Sequence, residues 1–366
     1  MKAAMLYGFG DLRLDDLPDP ECGPREVVID VRCVQLSVTE CMLIAGDGVA
    51  LHDSLATRLQ EGPVQFGGHE FAGVVSAVGN EVSQTWVGQR VTAVETLPCE
   101  RCTSCIRGHA DGCTGPAFVG FTRPGALAER VKVPESALVP LVDEVSFSAG
   151  AAVQPLAGAV HAHAALGVQP GETMLVLGGG VMGLLAVAVA RHGNAGNIIL
   201  ATRDPRKLEI GRTVGADLLV DASEDVDSFV LDATGGVGAD VVVETAGGSH
   251  AAGLAGTSTV EVAVRAVRRG GRIAVVSVLP ARAELPTGLM REKGLALIHP
   301  SSGGGHYSRT SSTFEHSLNL IARGSVDVER LVTHCLQGLS MLADAVEITR
   351  NKAHYNAINP AQIELP

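Results

Sequence analysis

The stretch that decides the fold is TMLVLGGGVMGLLAVAVA, Thr173 to Ala190. Four apolar residues run into three glycines, and an Ala/Val/Leu segment follows. The run is almost long enough to cross a bilayer, but its glycines fall where a spanning helix would break. It therefore reads as a buried strand, a tight turn and a helix. Gly178, Gly180 and Gly183 stand in G-x-G-x-x-G spacing, with Val181 and Met182 between the last two. On a strand-to-helix turn the first glycine permits the bend, and the second lets backbone approach a pyrophosphate. The third allows close helix packing, while the helix N-terminus attracts the phosphate charge. The alternative is a tight turn with no ligand.

Working outward, GNIILAT, GADLLVD, GADVVVETAGG and GGRIAVVSV are further buried-strand runs after about Gly171, mostly separated by helical patterns. With TMLVLGGG they make five, and the alternation predicts a parallel sheet with helices on both faces. The first 150 residues differ. EVVIDVRCVQL, EFAGVVSAVG and QRVTAVETL are strand-like and punctuated by turn signals, so this part should be mainly β. Past Pro300 a loop leads to a helix, TFEHSLNLIARG, closed by Gly324, then a second helical piece from about Leu331 to Ile348 and a strand-like tail.

The second strand of the parallel set ends near the expected adenosine ribose. An NAD site usually places Asp or Glu there, whereas this sequence has Thr202 followed by Arg203. A small hydroxyl beside a guanidinium suits a 2′-phosphate, which a carboxylate would repel, so the pattern favours NADP(H). Two other readings stay open: Arg203 as an ordinary surface arginine, or Asp204 turning back to hold the ribose of NAD.

Cys99, Cys102, Cys105 and Cys113 follow a C-x2-C-x2-C-x7-C order. Four thiolates on one short lobe can close a tetrahedral shell around Zn²⁺ with no open position, which makes the metal structural. A disulfide pair or an iron–sulfur cluster is the alternative.

Composition bounds the partners. The 366 residues suit two domains, and a net charge of −12 disfavours nucleic acid or anionic membrane and leaves a small-molecule substrate. The opening MKAAMLYGFGDLRL reads as strand and turn, not signal peptide, so a cytoplasmic location is expected.

These residues together resemble the zinc-containing branch of the medium-chain dehydrogenase/reductase family, the alcohol, polyol and threonine dehydrogenases. GPVQFGGHEFAGVV at Gly62 to Val75, the cysteine lobe, VQPLAGAVHAHAAL at Val153 to Leu166, the glycine turn and LNLIARGSVDVERLVTH carry the likeness over nearly the whole chain. The resemblance implies an α/β protein with a GroES-like, mainly β catalytic domain at 1–153, its zinc lobe at about 96–115, a Rossmann domain at 154–298 and a C-terminal return at 299–366. It also implies a homodimer or homotetramer.

In such proteins the catalytic zinc takes a Cys from a C-G-[ST]-D-like turn, the His of G-H-E, and an acidic residue or Cys opening a segment such as E-P-L-A. Here His69 and Glu70 are present, but the Cys position is Ser37 and the E-P-L-A position is Gln154. Both changes remove an anionic ligand, so zinc affinity should fall by orders of magnitude. SVTE, Ser37 to Glu40, also matches a helix capping box. The resemblance further implies that Thr39 relays a proton from the substrate oxygen. His161 and His163 read as packing residues, and the Gly303–Tyr307 loop, GGGHY, as a surface loop or a cover for substrate.

The expected function is therefore NADP(H)-dependent hydride transfer to or from a small carbonyl, alcohol or activated C=C or C=N group, with a degenerate catalytic zinc site. Two alternatives remain. One is a zinc-dependent secondary alcohol or polyol dehydrogenase using His69 and Glu70; the other is a non-redox NADP(H) binder or recruited cyclase or lyase.

Overall fold

The valine-rich EVVIDVRCVQ, with a buried run at Val27–Ile29, forms the strand Glu26–Gln35, the middle of a seven-stranded sheet. The sheet order is Leu138–Pro140, Arg90–Ala93, Glu70–Val78, Glu26–Gln35, Gln362–Glu364, Cys335–Gln337, with Arg130–Pro134 also paired to the central strand. Val27, Ile29, Phe71, Val91 and Val133 are at most 1% exposed. Each such side chain contributes about 1.5–3 kcal/mol by leaving water. The register also sets Gln35 opposite both Glu70 and Gln362, which lines up three buried polar side chains across neighbouring strands.

The structure, a computed structural model, describes residues 1–248, 255–280, 282–300, 306–308 and 311–366. Gly303–Gly305 of the glycine-rich loop lie outside the described residues, while His306–Ser308 form a short strand paired with Ser311–Ser312. The chain divides into two units, Met1–Gln154 with Phe314–Pro366, and Pro155–Thr313.

Two features of the first unit differ from the sequence reading. The helix His52–Glu61 was not anticipated, because only Leu55 in it is buried and the apolar period is too thin to see. The expected helical piece from Leu331 begins only at Leu342, giving Leu342–Arg350. Residues Cys335–Gln337 form a strand instead, since they pair in parallel with Gln362–Glu364 and Gly338, at φ +81°, ends the run.

The second unit holds a six-stranded, wholly parallel sheet in the order Leu218–Asp221, Ile198–Thr202, Met174–Leu177, Ala239–Glu244, Val267–Val275, Ala296–Ile298. The last strand escaped the sequence reading because it is only three partly exposed residues long. Met174–Leu177 is completely buried between its neighbours and is followed directly by the glycine turn and the helix Val181–His192. This is the position at which strand order reverses, where doubly wound sheets bind ligands. No helix among the described residues is long and apolar enough to cross a membrane.

Candidate functional site

The helix Val38–Ala45 is capped by Ser37, whose Oγ accepts from Glu40 N at 3.1 Å while Glu40 Oε2 accepts from Ser37 N at 3.1 Å. The capping box is therefore present, but Glu40 does more than cap. Its second oxygen, Oε1, accepts from Gly68 N at 2.7 Å and His69 N at 3.1 Å, and bonds His69 Nδ1 at 2.6 Å. The loop can reach the carboxylate because Gly67 and Gly68 take φ +88° and +83°, and a Cβ on Gly68 would sit 2.1 Å from Leu127 N. Sequence reasoning treated Glu40 only as a local cap and so missed its grip on His69.

The far side of the histidine is also acidic. His69 Nε2 lies 3.4 Å from Glu70 Oε1. Glu70 Oε2 accepts a short bond from Gln35 Nε2. Gln35 is itself held in that orientation, because Asn359 Nδ2 and Gln362 Nε2 both donate to its Oε1, at 2.5 Å and 3.0 Å. A third acid, Glu95, is 2% exposed, accepts from Gln154 Nε2 at 3.3 Å, and follows the strand Arg90–Ala93, whose Thr92 pairs with Ala72 three residues past His69. The Phe121 ring stands 4.8 Å from the imidazole. Thr39 is half-buried in the first turn of the helix, and among the described residues its hydroxyl makes no hydrogen bond.

Burial alone would pull His69 down, but the charge and hydrogen bond of Glu40 oppose it and His69 is raised to about 9. Burial pushes Glu70 up to about 8 against the opposing pull of His69. Glu95 is raised for the same first reason. The two shifts oppose each other across the pair: a charged His69 favours ionised Glu70, while burial favours its acid form.

This donor set does not fit the zinc that such a pocket would hold in the resembled family. Ser37 Oγ is neutral and engaged as a cap, and Gln154 is a neutral amide turned by its Nε2 toward Glu95. His69 Nδ1 and Glu70 Oε2 already have partners. Among the described residues, the cysteine lobe is the one group of three or more His, Cys, Asp or Glu whose ligand atoms lie within 4.8 Å of one another.

That lobe does fit a metal. Cys99, Cys102, Cys105 and Cys113 each bring one sulfur to a common centre. The short helix Thr103–Ile106 turns Cys102 and Cys105 toward each other, with their sulfurs 3.4 Å apart. Amides of Cys105 and Thr114 directed at Cys102 lower its thiol to about 5, so a thiolate is ready for an ion.

In the second unit the glycine turn has the shape a dinucleotide needs. Gly178 takes φ +113°, and a Cβ on Gly183 would come 1.8 Å from Gly178 O, so only glycine lets helix and strand meet. Gly180 caps the helix Val181–His192, and a Cβ there would meet nothing within 4 Å, which leaves the open side a phosphate would occupy. Val181 and Met182 form the first turn behind it. Thr202 is buried, its side chain beneath Gly179, and Arg203 is exposed with no ion pair among the described residues. Asp204 is occupied: it caps the helix Pro205–Val214 and pairs with Arg206 at 2.9 Å. Glu244, missed in the sequence, is fully buried and accepts from Ala246 N and Gly247 N at 2.7 and 2.6 Å, bracing the loop whose Thr245 and Ala246 line Gly178. His161 and His163 are partly buried on the helix Val153–Leu166, and His163 packs against Gly193.

Comparison with known proteins adds the following. Residues 23–143 match the model for the alcohol dehydrogenase GroES-like domain, and 181–323 that for zinc-binding dehydrogenase. Sorbitol dehydrogenase of Bacillus subtilis is 30% identical over 356 residues, 95% of this chain and 93% of that protein. L-threonine 3-dehydrogenase of Rhizobium johnstonii is 29% identical over 341 residues, 93% of this chain and 92% of that one. A Sinorhizobium meliloti structure described as a zinc-binding dehydrogenase bound to NADP superposes with a TM-score of 0.83 at 26% identity, covering 100% and 98% of the two chains.

Proposed function

The chain belongs to the zinc-type medium-chain dehydrogenase/reductase family of NAD(P)-dependent oxidoreductases, and from that premise we propose that it is an NADP(H)-dependent reductase of activated double bonds that works without a catalytic metal. One observation carries the reading: both positions that lack the family's anionic ligand, Ser37 and Gln154, hold neutral groups, with Ser37 Oγ committed as a helix cap and Gln154 Nε2 bonded to Glu95.

Four parts of the chain share the work. Gly178, Gly180 and Gly183, with Val181 and Met182, would cradle the pyrophosphate, and Arg203 beside Thr202 would take the 2′-phosphate. Bound there, the nicotinamide supplies or accepts the hydride. His69, oriented by Glu40 at Nδ1, presents in its charged form a proton at Nε2 for the oxygen or carbon that gains negative charge as the acceptor is reduced. Thr39 offers a hydroxyl to the same proton path. Cys99, Cys102, Cys105 and Cys113 would hold a structural Zn²⁺ that folds their lobe and takes no part in turnover.

A second reading, zinc-dependent oxidation of a secondary alcohol or polyol, draws support from the sorbitol dehydrogenase relative and from the adjacent pair His69 and Glu70. The two readings separate in an assay over enones, iminium ions, ketones and polyols. NADPH consumption that survives a strong chelator supports the proposal, chelator-sensitive polyol oxidation supports the second reading, and binding of NADPH without consumption over the whole panel means a non-redox role.

A further inference from the structure

Glu95 is a buried acid of the first unit that the reaction as described does not use. Its place is built into the fold. Val94 N donates to Ala137 O and Val119 N to Glu95 O, both at 2.9 Å, so the backbone cannot carry the side chain out to solvent. One carboxyl oxygen, Oε1, accepts from Gln154 Nε2 at 3.3 Å and from the Thr96 hydroxyl at 3.4 Å. The other, Oε2, is buried and has no hydrogen-bond partner. An orphaned buried oxygen costs about 1–3 kcal/mol, so it points to a ligand that completes it.

We propose that Glu95 is a second oxygen-polarising residue of this site: its carboxyl donates from Oε2, and together with the Nε2–H of His69 it grips the oxygen of a carbonyl or enone acceptor. The inference rests on the metal-free reading above and narrows its substrate class.

The placing of the proton follows from the partners. Gln154 Nε2 can only donate, and the Thr96 hydroxyl is directed at the same atom, so Oε1 is the acceptor end of the carboxyl and the acid hydrogen belongs on Oε2. Burial acts in the same direction, favouring the acid form of Glu95. A carboxylic acid held neutral in this way serves as a hydrogen-bond donor to developing oxyanion charge. The step balances simply. Hydride from NADPH brings two electrons to the acceptor carbon, and the displaced π pair moves onto the oxygen, directly or through the conjugated system. His69 supplies the one proton that neutralises it and is reprotonated from solvent, and NADP⁺ leaves. Glu95 keeps its hydrogen throughout. An iminium ion is a poor fit, because it offers no oxygen to two donors and is repelled by a cationic His69.

The test compares Glu95→Gln and Glu95→Leu, with thermal melting and NADPH affinity as controls for folding and cofactor binding. A glutamine keeps the donor and a leucine removes it. On a ketone or enone, kcat/KM should stay within about 10-fold of wild type for Glu95→Gln and fall about 100-fold to 1,000-fold for Glu95→Leu, the loss typical of one oxyanion donor. Equal losses in both variants, or no loss in Glu95→Leu, would overturn the proposal. Infrared difference spectra of wild type against Glu95→Gln give a readout independent of turnover. A protonated-carboxyl C=O band is expected in wild type and missing from the variant; its absence from wild type sinks the assignment. A wild type that reduces nothing, yet shows the band, contradicts the metal-free reductase reading and not the state of Glu95.

Discussion

Glu40 and His69 form a buried pair in which carboxylate Oε1 lies 2.6 Å from imidazole Nδ1, while the same oxygen also takes the amides of Gly68 and His69. With its other oxygen on Ser37 N, the carboxylate collects four donors, and its place beside Nδ1 raises His69. Glu40→Gln removes that carboxylate. Wild-type reduction should be level through neutral pH and fall as pH rises through about 9, the value set for His69. In the variant the falling limb should move down toward the ordinary histidine value of 6.5. A limb that stays in place in the pH dependence of kcat/KM contradicts the role of His69 as the acid.

Glu70 makes stability depend on pH in a definite direction. Its carboxyl is raised from 4.5 to about 8, so between these values the native state binds more protons than the unfolded one. The resulting stability is fully present below 4.5 and is lost as pH rises through 8. Melting temperature followed across that window should decline in wild type and decline less in Glu70→Gln, which cannot ionise. An identical slope in the two proteins removes the assignment.

Arg203 is exposed and unpaired among the described residues, whereas Asp204 is fixed by its cap and by Arg206. Arg203→Asp should raise KM for NADPH by about 10-fold to 100-fold, the worth of one charge-assisted bond, and leave KM for NADH nearly unchanged. Proportional changes for both cofactors would mean that the guanidinium does not read the 2′-phosphate.

The cysteine lobe is exposed and has little apolar packing of its own; Ile106 is 74% exposed. An ion held by the four thiols would supply its order. Cys102→Ser should release the structural zinc, and limited proteolysis should then cut first between residues 99 and 113. Wild-type resistance in the zinc-free variant would show that the thiols are not its staple.

The parallel sheet was legible from the sequence because its strands are buried on both faces and read as continuous apolar runs, as Met174–Leu177 and Ile198–Thr202 do. Ala296–Ile298 was not, because a half-exposed edge strand of three residues leaves no such run. Ser37, His69, Glu70 and Gln154 were visible as positions in motifs, and so was the local cap of Ser37 by Glu40, but other partners came from afar. Glu95 is 59 residues from Gln154, and Gln35 is 324 residues from Asn359. A single sequence shows what stands at a position. It does not show which distant strand will deliver a carboxyl or an amide beside it, and here those neighbours decide which oxygens are left for a metal.

The most direct test is the metal count of the purified protein, with anomalous scattering to place each ion. The account predicts one zinc per chain, seated among Cys99, Cys102, Cys105 and Cys113, and NADPH-dependent turnover unaffected by removal of any loosely held metal. A second, fully occupied ion bound by His69 with Glu70, Ser37 or Gln154 would contradict it.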